Sequence, residues 1–427
     1  MISNKKGIIA LSPLIVFIVL YLVTSIIAQD FYKIPIVIAF LVSSIYAITI
    51  TPHHSLSQRI DIFSHGAGSK KILLMIWIFI LAGAFANTAK AMGSIDAIVN
   101  LALYILPSNM LFAGLFLAAC FISLAIGTSV GTIVALVPIA CGLAHFTGVS
   151  LPLVTGIVVG GSFFGDNLSF ISDTTVVATH TQGCKMSDKF KVNSFIVFPA
   201  AILILLVYIV MGLQTQSAAE VTNINLLKVV PYIAVLVTAI LGLHVLLVLF
   251  IGIILSAGIG FLDGSYNIFG CLKTMNDGIL NMGELIVITM LAGGLLEMIR
   301  RNGGIHYMID KLSAHIHSKR KAEFSIGLLI SLVNVCTANN TVAILTVGSV
   351  TKKIGEQYGV DSRKAASILD TFSCCIQGLL PYGAQVLMAS GLTGLNPIHI
   401  IPYLYYPVLT GIAALSAIMF RYPKRYS

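Results

Sequence analysis

Two carboxylates interrupt a long apolar stretch in the first half of the chain: Asp166 and Asp173, seven residues apart within the segment Gly160–Thr175. An ionisable side chain inside a bilayer costs several kcal/mol, ~2.5–3.5 for Asp on insertion scales, so it usually faces a pathway or a partner. The glycines allow a helix to break, and the freed carbonyls can join carboxylate and hydroxyl oxygens around a hard cation such as sodium. The predicted sodium or proton site comprises Asp166, Asn167, Ser169, Ser172, Asp173, Thr174 and Thr175.

A polar loop that only caps helices is the competing interpretation of this segment. Asp173 followed by Thr174 and Thr175 would cap a helix well, because short oxygen-bearing side chains accept hydrogen bonds from its free N–H groups. Apolar sequence flanks the segment on both sides, however. The sequence therefore favours an ion site inside the membrane over a loop in water.

A related segment, Ile368–Gly383, lies in the second half. At an offset of 211 residues Gln377 corresponds to Asp166, so the second segment has lost its central acids. Pro381, which lies between glycines, predicts a broken helix here as well. Asp370 remains, and two interpretations of it stay open: a second proton site, or a polar side chain satisfied by its neighbours.

Two helix pairs, predicted at about 109–148 and 323–353, carry uncharged polar residues at their tips. Helix ends at such tips place partial charges at mid-membrane. Ordinary hydrogen bonding between helices by small polar side chains is the alternative, and it competes most strongly for Thr132. Together with Asp370 and Gln377, the tips form a predicted substrate or second-half site. Its tip members are Thr128, Ser129, Thr132, Asn339, Asn340 and Thr341.

The composition is that of a membrane protein. Of the 427 residues 57% are hydrophobic and 10% are charged, against about 25% charged in soluble domains. The net charge of +9 is better explained by anchoring at a cytoplasmic membrane surface than by nucleic acid. No nucleotide-binding loop, nucleophile motif or metal-ligand spacing occurs, so neither an enzyme nor a bound cofactor is predicted. Apolar runs that could form spanning helices of about 20 residues begin at Gly7, Ile34, Lys71, Leu111, Val192, Lys228, Val245, Met282, Phe324 and Ile401.

Sequence similarity recurs between the two halves at offsets of 209–211 residues; Gly148-Val149-Ser150, for example, matches Gly359-Val360-Asp361. We therefore predict a first membrane repeat, residues 1–215, and a second, residues 216–427. If the helix pairs are re-entrant hairpins, each half crosses the bilayer five times, and an odd number of crossings inverts the second half. The predicted fold is all-α and polytopic, with two inverted repeats, about ten transmembrane helices, two helical hairpins and broken helices at mid-membrane.

The positions of the basic residues predict the orientation of the chain. With the N-terminus in the cytoplasm, all but four of the 25 Lys and Arg lie on the cytoplasmic side, including Lys185, Lys189 and Lys191 in one loop. This distribution satisfies the positive-inside rule. Both termini are therefore predicted to be cytoplasmic in a cell inner membrane. Full crossing of both helix pairs would move no charged loop, so charge does not decide between hairpins and crossings.

The segment Gly165–Thr175 resembles the signature of the NhaC-type sodium/proton antiporter family, in which a Gly-Asp-x-x-Ser-x-x-Ser-Asp-Thr-Thr run recurs. Gln377–Gln385 is similar to the amino-acid-transporter-like branch of that family. Asn339–Thr341 resembles the Ser-Asn-Thr tips of the wider ion-transporter superfamily, with Asn in place of Ser at its first position. The resemblance implies inverted repeats, hairpins and broken helices around a central site.

We expect a secondary transporter that exchanges sodium for protons, in which Asp166 and Asp173 alternate between protonated and sodium-bound states. The alternative is a sodium- or proton-coupled transporter of an amino acid or small carboxylate, favoured by Gln377, Gln385 and Asn339. A membrane receptor or scaffold would not need costly buried acids. The expected partners are membrane lipid and the transported Na+ and H+, with no cofactor and no nucleic acid; a small organic substrate and a homodimer stay open.

Overall fold

The structure is a computed structural model that describes residues 4–23, 35–52, 54–105, 107–169, 172–213, 225–241, 243–313 and 316–426. These residues form helices and short connections, and no strand occurs among them. Long apolar sequences favour helices in a bilayer, because a helix satisfies its backbone hydrogen bonds within one segment. The all-α class predicted from sequence is therefore confirmed.

The first break is the connection between Leu168 and Asp173, and the helices of the first half precede and surround it. They are α1 (Asn4–Ile18, continued by a π-helical segment Val19–Val23), α2 (Ile36–Ile50), α3 (Leu56–Ala67), α4 (Lys70–Ala91), α5 (Ser94–Ile105), α6 (Leu111–Ile126), α7 (Ser129–Thr147), α8 (Leu151–Leu168), α9 (Asp173–Gln182) and α10 (Met186–Leu213).

The helices of the second half occur in a similar order. They are α11 (Leu226–Ile240), α12 (Val245–Leu262), α13 (Ile268–Asn281), α14 (Gly283–Arg301), α15 (Gly304–Ser313), α16 (Lys319–Thr337), α17 (Asn340–Tyr358), α18 (Ser362–Leu379), α19 (Ala384–Thr393), α20 (Pro397–Ile400) and α21 (Tyr405–Met419).

The second break is the connection between Leu379 and Ala384. The helices that flank the two breaks correspond in length and spacing. α7 and α17 both have 19 residues, α8 and α18 both have 18, and α9 and α19 both have 10. Each pair begins 211 residues apart, as Ser129 and Asn340 illustrate. The offset of 211 residues found in the sequence therefore also separates the corresponding helices of the two halves.

Each helix pair turns through one residue in the left-handed conformation. Gly127 has φ 72° at the tip between α6 and α7, and Ala338 has φ 48° at the tip between α16 and α17. This conformation costs about 1–2 kcal/mol for a residue with a Cβ. The second tip therefore holds backbone strain at a position where the first tip uses glycine.

The helices form two groups. α6–α10 and α16–α21, here called the core group, pack together around both breaks, whereas α1–α5 and α11–α15, the frame group, pack mainly on one another. Within the core group α9 packs against α17 and α19 packs against α7. The second part of each broken helix thus lies against the hairpin of the other half.

Fewer helices qualify as single membrane spans than the sequence predicts. Among the described residues, seven helical segments are long and apolar enough to cross a membrane, or up to eight if the bent pair Pro397–Tyr403 and Tyr405–Met419 forms one span. Four shorter apolar helices are Lys6–Tyr21, Ile36–Ile50, Leu111–Ala125 and Leu226–Thr238. The polytopic class is clear, whereas the figure of about ten crossings and the inverted arrangement stay predictions.

Two basic residues differ from their expected place in cytoplasmic loops. Lys189 lies in the first turn of α10 and Lys364 in the first turn of α18, and both side chains are buried. Lys364 Nζ donates to the carbonyls of Ala417 and Tyr422. Both lysines have other basic residues nearby in the sequence, a pattern typical of charged loops. In the structure, however, their ammonium groups form hydrogen bonds or ion pairs with other residues of the protein.

Candidate ion site

Asp166 lies in the last turn of α8, where the first break meets the first hairpin tip. Its side chain is 4% exposed, and its Oδ1 accepts a hydrogen bond from the backbone N–H of Ser129 at 3.2 Å. Ser129 begins α7. The free N–H groups and the positive end of the dipole at a helix N-terminus favour a carboxylate there.

The carbonyls freed at the end of α8 are held by other residues of the protein. The carbonyl of Asp166 accepts bonds from Thr174 Oγ1 at 3.0 Å and Thr175 Oγ1 at 3.4 Å. The carbonyl of Asn167 accepts bonds from Lys189 Nζ at 2.7 Å and Asn193 Nδ2 at 2.9 Å. The sequence suggested that such carbonyls would ligate an ion, but in this conformation these two are occupied.

Asp173 is in different surroundings from Asp166. It begins α9 and its side chain is exposed. An acid in the first turn of a helix interacts favourably with the helix dipole, so this position suits the capping interpretation. Ser172 precedes it, and its Oγ bonds Thr174 Oγ1 at 2.8 Å. The structure therefore buries one of the two acids and leaves the other at the surface of the protein.

Small side chains bring α6 and α8 close together beside Asp166. A Cβ on Gly165 would overlap the Ser123 Oγ and backbone, and one on Gly161 would lie 2.6 Å from the Ala119 Cβ. Ser123 Oγ donates to the Ser162 carbonyl. The spacing of Gly161 and Gly165 is that of a small-xxx-small helix contact, which positions the last turn of α8.

A chain of amide and hydroxyl hydrogen bonds connects the two halves. Gln377 Nε2 donates to the Ala338 carbonyl at 2.9 Å and to Gln385 Oε1 at 3.0 Å. Gln385 Nε2 then donates to Ser129 Oγ at 2.9 Å. This chain runs from the second hairpin tip through the second break to the first tip, which bonds Asp166. The structure thus brings Asp166, Ser129 and Gln377 together.

The remaining tip candidates make bonds within or near their own hairpins. Thr132 Oγ1 donates to the Thr128 carbonyl at 3.1 Å, and the Asn339 side chain caps α17 by accepting from Val342 N at 2.9 Å. Asn340 Oδ1 accepts from the N–H of Thr341 at 3.0 Å. In the first break, Ser169 Oγ donates to the Leu124 carbonyl at 3.0 Å. These bonds shape the tips and the break.

Asp370 forms a buried ion pair with Lys189, a residue that the sequence did not single out. Lys189 Nζ lies 2.8 Å from Asp370 Oδ2, and the two side chains are 1% and 0% exposed. Asn193 Nδ2 donates to the same oxygen at 2.8 Å. The available sequence signal was Asn193, a polar residue four positions after Lys189 within the apolar run of α10.

Comparison with known proteins decides the family. The model of the Na+/H+ antiporter family matches residues 3–213 and, a second time, residues 213–423. This chain belongs to the Na+/H+ antiporter family. The resemblance read from Gly165–Thr175 is confirmed, and at family level the chain is a sodium-coupled antiporter of a multi-pass membrane type.

Relatives of this antiporter exchange different ions. A malate-2H+/Na+-lactate antiporter of Bacillus subtilis is 23% identical over 93% of this chain and 91% of its own. The Na+/H+ antiporter NhaC of B. subtilis is 25% identical, over 79% and 81%. An arginine/ornithine antiporter of Halobacterium salinarum is 26% identical, over 81% and 77%. The solved structure of the YdaH transporter of Alcanivorax borkumensis covers 85% of this chain and 88% of its own, with 14% identity and a TM-score of 0.42.

Two cavities lie between helices of this antiporter. The larger has a volume of about 1120 Å³, and its lining includes Lys90, Asp96 and Glu284. The smaller, of about 250 Å³, lies against the second hairpin tip at Ala338 and Asn339. Frame-group and core-group residues line both cavities, so both lie where the two groups meet.

Proposed function

We propose that this antiporter exchanges Na+ for H+ at Asp166. The observation that carries the proposal is a buried carboxylate between the first hairpin tip and the first break, with no ion pair among the described residues. A buried carboxylate is costly unless a cation or proton neutralises it. Because sodium and a proton compete for the same oxygens, one such group is sufficient to couple their movement.

The contact with Ser129 makes this carboxylate responsive to the hairpin. The N-terminus of α7 compensates only part of a full negative charge, since a helix end carries roughly half a charge. A proton or sodium ion supplies the rest. Movement of the hairpin tip relative to α8 would change the coordination of Asp166, which is what exchange between two sides requires.

The experiment compares Asp166→Asn with Asp173→Asn in proteoliposomes that report sodium-driven proton flux. Asn keeps the shape of Asp166 and removes its exchangeable charge, so flux should fall to the level of empty liposomes. Asp173→Asn should retain measurable exchange, since Asp173 is exposed. Expression and thermal stability of both variants serve as controls. Normal exchange by Asp166→Asn would remove the proposal.

A second candidate function is sodium- or proton-coupled transport of a small organic ion. The cavity of about 250 Å³ at Ala338 and Asn339 favours it, because a bare cation does not need such a space beside the second tip. Relatives named for malate and lactate or for arginine and ornithine are consistent with this candidate. Flux that appears only when an amino acid or carboxylate is added would replace the first proposal with this one.

The arrangement of the chain in the membrane belongs to the same proposal. We take residues 1–215 and 216–427 as two inverted repeats with both termini in the cytoplasm of an inner membrane. The matching helices on either side of the breaks support the repeats. The positions of the basic residues support the orientation.

A further inference from the structure

The Lys189 ammonium lies in a buried pocket made of oxygen atoms. Its Nζ is 2.8 Å from Asp370 Oδ2, 2.7 Å from the Asn167 carbonyl and 2.6 Å from Thr175 Oγ1. A lysine ammonium has three N–H donors, and three oxygens surround it. A carboxylate, a carbonyl and a hydroxyl are also the ligands that hard metal cations prefer.

The three oxygens come from separate parts of the core group. Asn167 lies near the end of α8, Thr175 lies in α9, and Asp370 lies within α18 of the second half. Lys189 reaches them from the first turn of α10. The pocket therefore connects α8 and α9, which lie on the two sides of the first break, with α18, which precedes the second break.

Further acceptor oxygens belong to the same group of residues. The Oδ1 atoms of Asn167, Asn193 and Asp370 are buried and have no hydrogen-bond partner among the described residues. Buried polar atoms are normally hydrogen-bonded, and unpaired ones call for an explanation. Asn193 bonds both Asp370 and the Asn167 carbonyl. These residues hold more oxygen atoms than one ammonium group uses.

We propose that Lys189 is a tethered cation that occupies a second sodium site built around Asp370. The ammonium neutralises Asp370 permanently, so one exchangeable cation, at Asp166, remains. The number of exchangeable cations, one, rests on the proposed function of Asp166. The proposal that the Asp370 pocket is a cation site does not depend on that function. An ordinary structural ion pair is the competing explanation, and the two explanations predict different results when the lysine is removed.

The test removes the lysine in a background in which Asp166 is already neutral. In Asp166→Asn, thermal stability should not depend on sodium. Asp166→Asn/Lys189→Met leaves Asp370 without its cation, so sodium should raise the melting temperature by roughly 2–4 °C over choline at equal ionic strength. Adding Asp370→Asn should abolish that sodium effect. Lys191→Met, an exposed lysine two residues away, is the matched control and should show no sodium effect.

Folding of the variants is itself informative. Loss of one partner of a buried pair is strongly destabilising. If Asp166→Asn/Lys189→Met folds only in sodium, the proposal is supported. If it fails to fold in sodium and in choline while Lys189→Met/Asp370→Asn folds, the pair is structural only and the proposal is overturned. A folded variant without a sodium effect overturns it as well.

Transport provides a second measurement that separates the two proposals. In the Asp166-containing protein, Lys189→Met should raise the Hill coefficient for sodium from about 1 toward an upper bound of 2, because both sodium ions then have to bind in one transport cycle. If wild-type protein shows no sodium-driven proton flux, the function proposed for Asp166 fails, while the melting experiment still decides the Asp370 pocket. An unchanged coefficient in an active Lys189→Met variant would show that no second site has been released.

Discussion

Asp166 and Gln377 occupy corresponding positions in the two broken helices. Each forms a hydrogen bond with a hairpin tip, but Asp166 is the acceptor and Gln377 is the donor. Asp166 accepts a bond from Ser129 N–H at the first tip, whereas Gln377 donates one to the Ala338 carbonyl at the second. An ionised carboxylate only accepts hydrogen bonds, and an amide nitrogen only donates them. At these two corresponding positions the first half therefore carries an ionisable carboxyl group and the second half a neutral amide.

Gln385 is expected to adjust the Asp166 site through Ser129. Gln385→Leu removes the bond to Ser129 Oγ and the acceptor used by Gln377. Each such bond contributes about 1 kcal/mol, so the KM for sodium should rise roughly fivefold to tenfold. Thr410→Val, which removes a buried bond internal to α21, should leave that KM unchanged. Equal KM values for wild type and Gln385→Leu would contradict a functional connection between the halves.

Residue types alone identified the polar positions but not their electrostatic partners. Asp166, Ser129 and Gln377 were predicted as site residues, because polar groups in apolar sequence require a reason. Lys189 was not, because a lysine beside Lys185 and Lys191 looks like a loop charge. Its long side chain reaches Asp370 because α10 packs against α18, and the sequence near Lys189 indicates this packing through Asn193 alone.

At the scale of helices, close packing of α8 on two sides determines where Asp166 lies. Gly161 and Gly165 allow contact with α6, and Gly156 and Gly160 face Tyr403 and Tyr406. A helix with glycines on two faces can approach both neighbours without intervening side chains. The break after α8 then occurs where the α7 N-terminus is within hydrogen-bond distance of Asp166.

Gly165→Ala is expected to displace the last turn of α8. The new methyl group would overlap the Ser123 backbone, which cannot move away without moving α6. Overpacking of this kind costs about 1–3 kcal/mol, and exchange should fall at least tenfold because the Asp166–Ser129 contact is disturbed. Both thermal stability and sodium-driven proton flux would be measured.

Gly160→Ala is the control on the opposite face of the same helix. Its Cβ would lie 3.3 Å from the Tyr406 Cβ and farther from other atoms. A small adjustment relieves that contact, and alanine favours helix over glycine by about 1 kcal/mol. Stability and flux should therefore stay near wild type. Similar behaviour of the two variants would show that close packing against α6 does not position Asp166.

Helix boundaries could be predicted from the sequence more fully than helix contacts. The apolar runs and glycines predicted the two helix pairs, which lie at 111–147 and 319–358 in place of 109–148 and 323–353. The short helices α3, α5, α13 and α15 were not predicted, because they are too short or too polar to appear as spans. Long apolar runs identify membrane-spanning helices in a sequence, but they give little indication of the short helices that lie next to them.

At the scale of the whole molecule, the residues of the proposed ion sites lie in the core group, and the frame group packs beside it. The core group contains both breaks, both tips, Asp166 and the Lys189–Asp370 pair, and the two groups together line both cavities. Movement of one group against the other around a central site is a general route to alternating access. In the proposed orientation Lys90, which lines the larger cavity, is on the outer side, and Arg300, which lines the smaller cavity, is on the cytoplasmic side.

The inverted arrangement makes a prediction about one matched pair of positions. Gly148 and Gly359 lie 211 residues apart, both have φ 70°, and a Cβ at either would meet nothing within 4 Å. Cysteine at either site therefore has the same backbone cost, about 1–2 kcal/mol, and the same open surroundings. Inversion predicts that Gly148→Cys is outside the cell and Gly359→Cys is inside.

The measurement is labelling with a membrane-impermeant maleimide, in a background in which the seven native cysteines are replaced. Intact cells should label Gly148→Cys, and inside-out vesicles should label Gly359→Cys. Basic residues support this assignment, since Lys352, Lys353 and Arg363 flank Gly359 whereas the sequence around Gly148 has none. Labelling of both cysteines from one side would mean that the halves are parallel. The two hairpin tips would then enter from the same side of the membrane.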